Sequence, residues 1–356
     1  MTSTTKRRRR FTRSRSRRDF VVTDRVLSTL RALGRFRILT IDQIIRLLDL
    51  EQDMQQMPPV SSQKVSRLLR DLFDTGYVER LLGPVTNLTD FDAVHRLPTT
   101  YALAKSGAEH VAATDHVSIA HLDWPRKNRQ FHSSNIDHTV GIADFVISLL
   151  ADCRQCGLDL FDHRDLVPYM PPSARDKRDL TLSVIVDGVE YTRRPDRIIA
   201  VGDSTGTKLP FVLEWHSGEV PANRAPDALW RGYRQSNFSD TIWIYWMARQ
   251  ADAFKRLWGL SNFRVLTVTA SDKSIVNLSR KVTHITGRPT TNLFLFTTPS
   301  RVLQHGPLGP IWYAPQHAFD NISLGYSVHA LDAATPISIL DSTSGSHNPL
   351  FLMKTS

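Results

Sequence analysis

Two acidic residues in the middle of the chain have the types and spacing of a divalent-metal site, an arrangement that is compatible with a nuclease. Asp196 lies in the segment YTRRPDRIIAV, and Glu214 and His216 lie in FVLEWHSGE. Each segment has the composition of a short strand, and the Gly, Ser and Thr residues between them indicate a turn. Carboxylates on neighbouring strands are a minimal site for Mg²⁺, which binds oxygen ligands and keeps several waters. The pattern therefore makes Asp196 and Glu214 candidate metal ligands.

Two interpretations of these carboxylates remain open from the sequence. In a nuclease they would hold Mg²⁺, and His216 would orient or deprotonate the attacking water. Alternatively they make structural bonds to nearby arginines, which are Arg193, Arg194 and Arg197. The sequence leaves open whether the chain is an enzyme, and a non-enzymatic role is preferred. Mg²⁺ would be a cofactor only of an active nuclease.

The net charge of +10 is concentrated at the N-terminus. Nine of the 45 lysines and arginines lie in the first 18 positions, which contain no acid, while the other 36 face 35 acidic residues. Such a block stays disordered when free and binds phosphates by releasing counterions. We predict a disordered basic arm over residues 1–19, in which the DNA contacts are Arg7, Arg8, Arg9 and Arg10.

Residues 20–115 have the pattern of a DNA-binding domain. Three helical stretches with apolar residues at three- and four-residue spacing precede two strand-like segments at 77–81 and 100–103. Three helices followed by a β-hairpin is the order of a winged helix-turn-helix domain, whose third helix enters the major groove of duplex DNA. A wing that mediates homodimerisation is the alternative.

The third of these helices has a polar face opposite its buried stripe. It begins after Ser61 and Ser62 and ends before Gly76. Amide and guanidinium groups match base edges and phosphates, so this face predicts base and phosphate contacts, although a solvated surface is the alternative. The predicted contacts are Gln63, Lys64, Arg67 and Arg70.

The rest of the chain predicts a second, α/β domain. After a linker at 116–133, residues 134–315 begin with an apolar helix and continue with strands that alternate with helices. The run TIWIYWM at 241–247 is predicted to be a strand because of its β-branched and aromatic residues. Residues 316–356 are weakly patterned and are predicted to form a loosely attached C-terminal tail.

The composition indicates a cytoplasmic protein that associates with the nucleoid or a plasmid. Only two cysteines are present, no apolar run has the length of a bilayer span, and the basic start is not followed by an apolar signal core. We therefore expect no membrane partner.

In the order of these parts the chain resembles the replication-relaxation family of plasmid and mobile-element proteins over about residues 20–315. The similar segments are LLRDLFDTGYVERL, TYALAKSGAEHVA, HSSNIDHTVGIADFVISLL, RRPDRIIAV, FVLEWHSGE, ALWRGYRQ and LFLFTTPSRVLQHGPLGPIWY. The resemblance implies a mixed α/β chain with a winged helix followed by a degenerate PD-(D/E)xK nuclease-like core. By position, Asp196 and Glu214 match the acids of that core, whereas His216 stands where active nucleases place lysine.

Three functions follow from this resemblance and the charge pattern. The preferred one is a DNA-binding accessory protein of plasmid or mobile-element replication, relaxation or mobilisation. The first alternative is a metal-dependent endonuclease or nickase that uses Asp196 and Glu214. The second is an assembly factor that recruits a relaxase or replication initiator through the aromatic residues around Trp230, Tyr233, Trp243 and Trp246.

Overall fold

The structure is a computed structural model that divides into two compact units, residues 1–147 and 148–356. It describes residues 12–13, 20–53, 58–81, 99–122, 133–172, 180–206, 208–216, 238–260, 263–288, 290–320 and 325–341. Helices and strands occur in both units, which confirms the predicted mixed α/β class. The limits predicted for the domains stay predictions.

The first unit combines helices with a small antiparallel sheet. Its elements are α1 (Asp24–Phe36), β1 (Ile38–Thr40), α2 (Ile41–Asp53), α3 (Ser62–Thr75), β2 (Val78–Leu81), β3 (Thr100–Leu103), α4 (Lys105–Thr114) and the first part of α5 (Ser133–Gln155). The strand order is β1-β3-β2, with both pairs antiparallel. The three helices and two later strands lie where they were predicted, and β1 is an additional strand between α1 and α2.

Helix α3 forms because its apolar residues recur on one side. Val65, Leu69, Leu72 and Phe73 are buried, while the opposite side faces solvent. The helix ends at Gly76, which adopts a left-handed conformation (φ 86°) and donates its N–H to the last carbonyls of the helix. A residue with a side chain rarely adopts this φ, so the glycine fixes where α3 stops and β2 begins.

The second unit is built on a five-stranded mixed sheet. After the end of α5, its elements are β4 (Asp159–Asp162), α6 (His163–Leu166), β5 (Leu182–Val186), β6 (Val189–Arg193), β7 (Arg197–Gly202), β8 (Lys208–His216), α7 (Phe238–Gln250), α8 (Ala253–Trp258), β9 (Arg264–Thr269), α9 (Asp272–Thr286), β10 (Phe294–Thr297), α10 (Pro299–His305), β11 (Phe319–Asp320), β12 (Gly325–Tyr326) and α11 (Val328–Ala333). The strand order in the sheet is β10-β9-β8-β7-β4. Strands β8, β9 and β10 are parallel, and β7 and β4 add antiparallel pairs.

One face of this sheet forms the largest part of the described core. Ile198, Val212, Val265 and Phe294 lie side by side across four neighbouring strands and share a hydrophobic cluster with residues of α7, α8 and α9. Residues whose side chains lie on the other face of the sheet, such as Leu213 and Leu266, are also fully buried. Burial of both faces is the reason the central strands are continuously apolar.

The predicted strand at 241–247 is wrong, because these residues belong to helix α7. Buried side chains cover most of one side of this helix, and Trp243, Trp246 and Met247 on the rest of its surface pack partly against the same core. A helix that is apolar nearly all round lacks the polar side that produces a 3.6-residue pattern. Tertiary burial therefore overrides the strand propensity of its β-branched and aromatic residues.

The loosely attached tail is also corrected for the residues that are described. Leu331 and Ile339 are buried, and the backbone of Ile337 pairs with that of Trp312. The guanidinium group of Arg264 donates to the carbonyl oxygens of Ile339 and Asp341 at 3.4 and 3.2 Å. Residues 325–341 are thus packed onto the second unit through contacts distant in sequence, whereas 342–356 lie outside the described residues.

None of the helices that the structure describes combines the length and the apolar character needed to cross a bilayer.

Candidate functional site

Glu214 is a charged residue at the centre of an apolar sheet. Its strand β8 lies between β7 and β9, and Glu214 follows Val212 by two residues, so strand alternation turns it toward the helical layer that contains α7. It is 1% exposed. An ionised carboxylate in this position needs internal donors, because burial without partners costs several kcal/mol.

The first donor is Arg193 at the end of the β5–β6 hairpin. In this hairpin Leu182 pairs with Arg193 and Val184 with Tyr191, so these four residues share one face. Leu182 and Val184 are buried in the core, and Arg193 is directed inward with them. Its guanidinium group donates to both oxygens of Glu214, through Nη2 to Oε2 and through Nε to Oε1 at 3.4 Å.

The second donor is Tyr245 on α7, whose hydroxyl hydrogen-bonds to Glu214 Oε1. Tyr245 is fully buried and stacks against Phe254 with 6.0 Å between ring centroids. Sequence reasoning missed this residue because it assigned residues 241–247 to a strand. Had residues 241–247 been assigned to a helix packed over the sheet, Tyr245 would have been a candidate partner, because a buried tyrosine hydroxyl requires a hydrogen-bond partner.

Asp196 lies beside this group, directly before β7. Its Oδ2 accepts a hydrogen bond from the backbone N–H of Trp215 at 2.8 Å, next to Glu214 in sequence. The structure therefore brings the two predicted carboxylates together. It also shows that one oxygen of Asp196 fixes the end of β8.

The groups of this cluster shift one another's pKa values. Burial, followed by the negative charge of Asp196, raises the pKa of Glu214 to about 7, although Arg193 and Tyr245 oppose the shift. Burial acts to lower the pKa of Arg193, but the charge and hydrogen bond of Glu214 outweigh it and hold that pKa above its usual value. The pKa of Tyr245 is raised, first by burial and then by Glu214. The cluster keeps Arg193 cationic.

His216 lies two residues beyond Glu214 on the same face of β8. Its ring is 4.9 Å from that of Phe238, measured between centroids. Burial, and then the positive charge of Lys281, lower its pKa. The imidazole is therefore neutral at pH 7 and does not supply the charge that a lysine in this position would carry.

In this arrangement Asp196 and Glu214 do not fit a Mg²⁺ ion. Both oxygens of Glu214 accept hydrogen bonds, and the guanidinium group of Arg193 provides the positive charge that a divalent cation would provide. Among the described residues, no group of three or more His, Cys, Asp or Glu side chains is arranged to hold a metal ion. The geometry instead matches the structural alternative for Arg193, while Arg197 pairs with Asp162 at 3.5 Å.

The predicted DNA contacts on α3 have a different environment. Gln63, Lys64, Arg67 and Arg70 are all exposed. Arg70 Nε is 3.8 Å from Asp71 Oδ1, with both side chains open to solvent, and such surface pairs contribute little stability. These four side chains are therefore available to a ligand. The predicted contacts Arg7, Arg8, Arg9 and Arg10 lie outside the described residues.

The predicted assembly surface is only partly described. The rings of Trp243 and Tyr191 are 4.8 Å apart between centroids, and the Arg288 guanidinium carbon lies 5.8 Å from the centroid of Trp246. Both tryptophans pack partly against the core. Trp230 and Tyr233 lie outside the described residues.

Comparison with known proteins gives one family. The family model described as replication-relaxation matches residues 30–235, which is more than half of the chain. The match includes α3, Arg193, Asp196 and Glu214, whereas Tyr245 lies beyond it. No curated protein and no solved structure matches the chain.

Proposed function

The chain belongs to the replication-relaxation family, and on that premise we propose that it binds duplex DNA as an accessory protein of replication, relaxation or mobilisation. Family membership indicates a role in plasmid or mobile-element replication or relaxation. DNA binding by α3 and the basic arm is the finer part of the proposal. It assigns no chemical step to the protein.

The exposed polar face of α3 is the observation that carries this proposal. About two turns of the helix present Gln63, Lys64, Arg67 and Arg70 to solvent, while Val65 and Leu69 hold the opposite side in the core. A rigid helix with amide and guanidinium groups on its free side has the shape and the donors to read the major groove.

The order of elements supports a winged helix-turn-helix as the frame for α3. Helices α1, α2 and α3 precede the antiparallel pair β2–β3, and β1 completes a three-stranded sheet. In such a frame the third helix enters the groove and the hairpin contacts the backbone. The loop between β2 and β3 lies outside the described residues.

The charge distribution supports a division of labour between α3 and the arm. Residues 20–115 contain basic and acidic residues in nearly equal number, so this domain has no broad positive field of its own. The nine cations before residue 19 provide that field. Phosphate contacts by the arm give affinity, and side chains of α3 give sequence preference.

The internal pairing of Glu214 supports a non-catalytic role for the PD-(D/E)xK-like domain. A hydrolytic site requires carboxylate oxygens that face a metal and a water. In this chain the oxygens of Glu214 face Arg193 and Tyr245. In the proposed function Asp196, Glu214 and His216 stabilise the second unit.

Fluorescence anisotropy with labelled duplex DNA tests the proposal. We expect Arg67→Ala to change the preference among duplexes by about 1–3 kcal/mol if it contacts a base, and Lys64→Ala to weaken binding to all duplexes if it contacts phosphate. Arg256→Ala on α8 and Lys273→Ala on α9 are matched controls, because both residues are exposed on helices of the other unit. Equal binding by all four variants and the parent would overturn the proposal.

A further inference from the structure

Helix α9 of the second unit carries basic residues along one side. We call them the α9 basic stripe, and they are Arg280, Lys281, His284 and Arg288. Arg280, His284 and Arg288 are exposed, and Lys281 is half-buried. Arg288 directly follows the glycine that ends the helix. After Asp272, the first residue of α9, the sequence contains no aspartate or glutamate as far as Arg288, so no acid further along the helix offsets these charges.

The geometry of the helix directs the stripe away from the core. A turn of about 100° per residue places Arg280, Lys281 and His284 within one sector of about 100°. The buried residues Ile275 and Val282 lie on the opposite side. The outward side therefore lacks the pairs of opposite charge, three or four residues apart, that stabilise a solvated helix.

The two arginines of the stripe are held by groups that do not neutralise them. Arg280 Nη2 donates to the backbone carbonyl of Tyr326 at 3.5 Å. The guanidinium carbon of Arg288 lies 5.8 Å from the ring centroid of Trp246 on α7, a helix that packs against α9. Within the described part of the chain, neither guanidinium group forms an ion pair with a carboxylate. Both are thus positioned at the surface with their positive charge uncompensated.

The other end of α9 shows the contrast. There Arg301 pairs with Asp272, with 2.9 Å between Nη2 and Oδ2. Lys273 follows Asp272 directly, so both signs of charge are present at this end. The excess of positive charge is therefore confined to the last two turns of α9 and to Arg288.

Lys281 has already lost part of its hydration. It is half-buried, and burial lowers the pKa of its ammonium group, because the charged form is solvated less well than in water. An anion beside the stripe would favour the charged form again. The environment of this side chain therefore favours an anionic ligand.

The stripe has the length and the shape of a contact with a polyanion. Eight residues separate Arg280 from Arg288, a distance of about 12 Å at the rise of a helix. Phosphates of one strand of B-DNA follow one another about every 3.4 Å along the axis, so three or four of them span this distance. The basic groups lie in a line along the helix, which suits an extended chain of phosphates better than one small anion.

From this arrangement we infer that the α9 basic stripe binds the sugar-phosphate backbone of duplex DNA. The inference goes beyond the proposed function, which assigns the DNA contacts to α3 and the basic arm. Contacts with phosphates strengthen and orient binding but carry no sequence information. The stripe contains no apolar side chain of the kind that a membrane or the centre of a protein interface requires. The second unit thus holds DNA without cutting it.

Removal of two charges from the stripe tests the inference in the full chain. Fluorescence anisotropy measures binding to a labelled duplex of random sequence at several salt concentrations. We expect the double variant Arg280→Gln, Arg288→Gln to bind about tenfold more weakly at about 0.1 M salt. The slope of log K against log salt should become shallower by about 2, because each phosphate contact contributes about 0.9.

A second double variant is the matched control. Lys255→Gln with Arg256→Gln removes two charges from α8, where both side chains are exposed and Asp252 directly precedes the helix. It should bind like the parent, with an unchanged salt slope. Equal binding by the two double variants would overturn the inference. An acidic protein surface as the ligand of the stripe would give this result as well.

A conservative substitution separates phosphate binding from a structural role. Arg280→Lys with Arg288→Lys keeps both charges, and lysine binds phosphate as a point charge, so this variant should recover the salt slope of the parent. If it binds as weakly as the glutamine variant, the arginines act through Tyr326 and Trp246 and the inference is wrong.

The proposed function is judged by a different readout. Arg67→Ala on α3 is expected to change the preference among sequences, whereas the stripe variants change binding to every duplex alike. A stripe variant that binds like the parent, together with an altered preference in Arg67→Ala, rejects the inference and leaves the proposed function standing. The reverse pair of results supports the stripe and rejects the role of α3.

Discussion

Helix α3 and the Glu214 cluster contain similar chemical groups in opposite environments. On α3 the guanidinium and ammonium groups are exposed, and the ion pair of Arg70 with Asp71 is open to solvent. In the second unit the guanidinium group of Arg193 is bound to a carboxylate that is 1% exposed, with a buried tyrosine as the second donor. The exposed side chains of Gln63, Lys64, Arg67 and Arg70 can meet a ligand, while the polar groups around Glu214 bind each other.

The difference shows what residue type and spacing alone leave undecided. Acids on neighbouring strands are compatible both with a metal site and with an internal ion pair. The β5–β6 hairpin decides between these two possibilities. Its side chains alternate between two faces, and this alternation directs Arg193 into the core beside Glu214. A cation provided by the chain itself takes the electrostatic role of a divalent metal.

Removal of Arg193 should have the largest effect on stability. Arg193→Ala leaves a buried carboxylate without its countercharge, and breaking a buried pair in this way costs about 3–5 kcal/mol. Unfolding in urea, followed by circular dichroism, measures the loss. Arg194→Ala is the control, because this neighbour is exposed. Equal stability of the two variants would contradict the internal pair.

The pH dependence of stability should reveal the titration of Glu214. Its pKa is about 7 in the folded chain, above the 4.5 of an unperturbed glutamate. Between these values the folded chain holds a proton that the unfolded chain releases, so stability contributed by this group declines as the pH rises from about 4.5 to about 7. One proton changes the free energy of unfolding by at most about 1.4 kcal/mol per pH unit.

Glu214→Gln provides the reference for this dependence, because it keeps a polar group and cannot titrate. Urea unfolding of the parent and the variant at pH 5 and pH 7 gives the difference between them. We expect the parent to lose stability relative to the variant over this interval. A relative gain, or no change, would contradict the raised pKa.

On α3 the corresponding substitution should leave stability nearly unchanged. Arg67 is exposed, and surface substitutions away from caps and buried networks usually change the free energy of unfolding by less than about 0.5 kcal/mol. Arg67→Ala should therefore unfold like the parent in urea, although the proposed function predicts that its DNA binding differs. A large loss of stability would mean that the α3 face is structural.

No effect is expected in a DNA cleavage assay. Incubation of supercoiled and linear DNA with the parent protein, with Mg²⁺ or Mn²⁺, should produce no nicking, because Arg193 and Tyr245 occupy the oxygens of Glu214. Metal-dependent nicking that is lost in both Glu214→Ala and Asp196→Asn would overturn the comparison between the two regions.

Much of the fold was predictable where local signals agree with tertiary packing. Helix α3 has an apolar stripe and a terminal glycine, and the structure places its end at Gly76. Helix α9 likewise begins after Ser271, whose hydroxyl accepts from the N–H of Ser274, and ends at Gly287. Such elements carry their own boundaries in the sequence.

The rest depended on contacts that no local pattern encodes. Helix α7 is apolar around most of its circumference, so its residues resemble a strand until the sheet beneath it is known. The segment after residue 325 is attached by the pairing of Ile337 with Trp312 and by Arg264, all distant in sequence. For the site, Asp196 and Glu214 were predictable as neighbours, but Tyr245 was not, because its element was assigned wrongly.

The bond between Tyr245 and Glu214 has a spectroscopic consequence. Ionisation of phenols gives tyrosine its alkaline absorbance change, and solvent-exposed tyrosines ionise near pH 10. Tyr245 is fully buried and its hydroxyl is bound to a carboxylate, so its pKa lies well above this value. This tyrosine should therefore stay protonated until α7 separates from the sheet, and its late absorbance change would report the opening of the second unit.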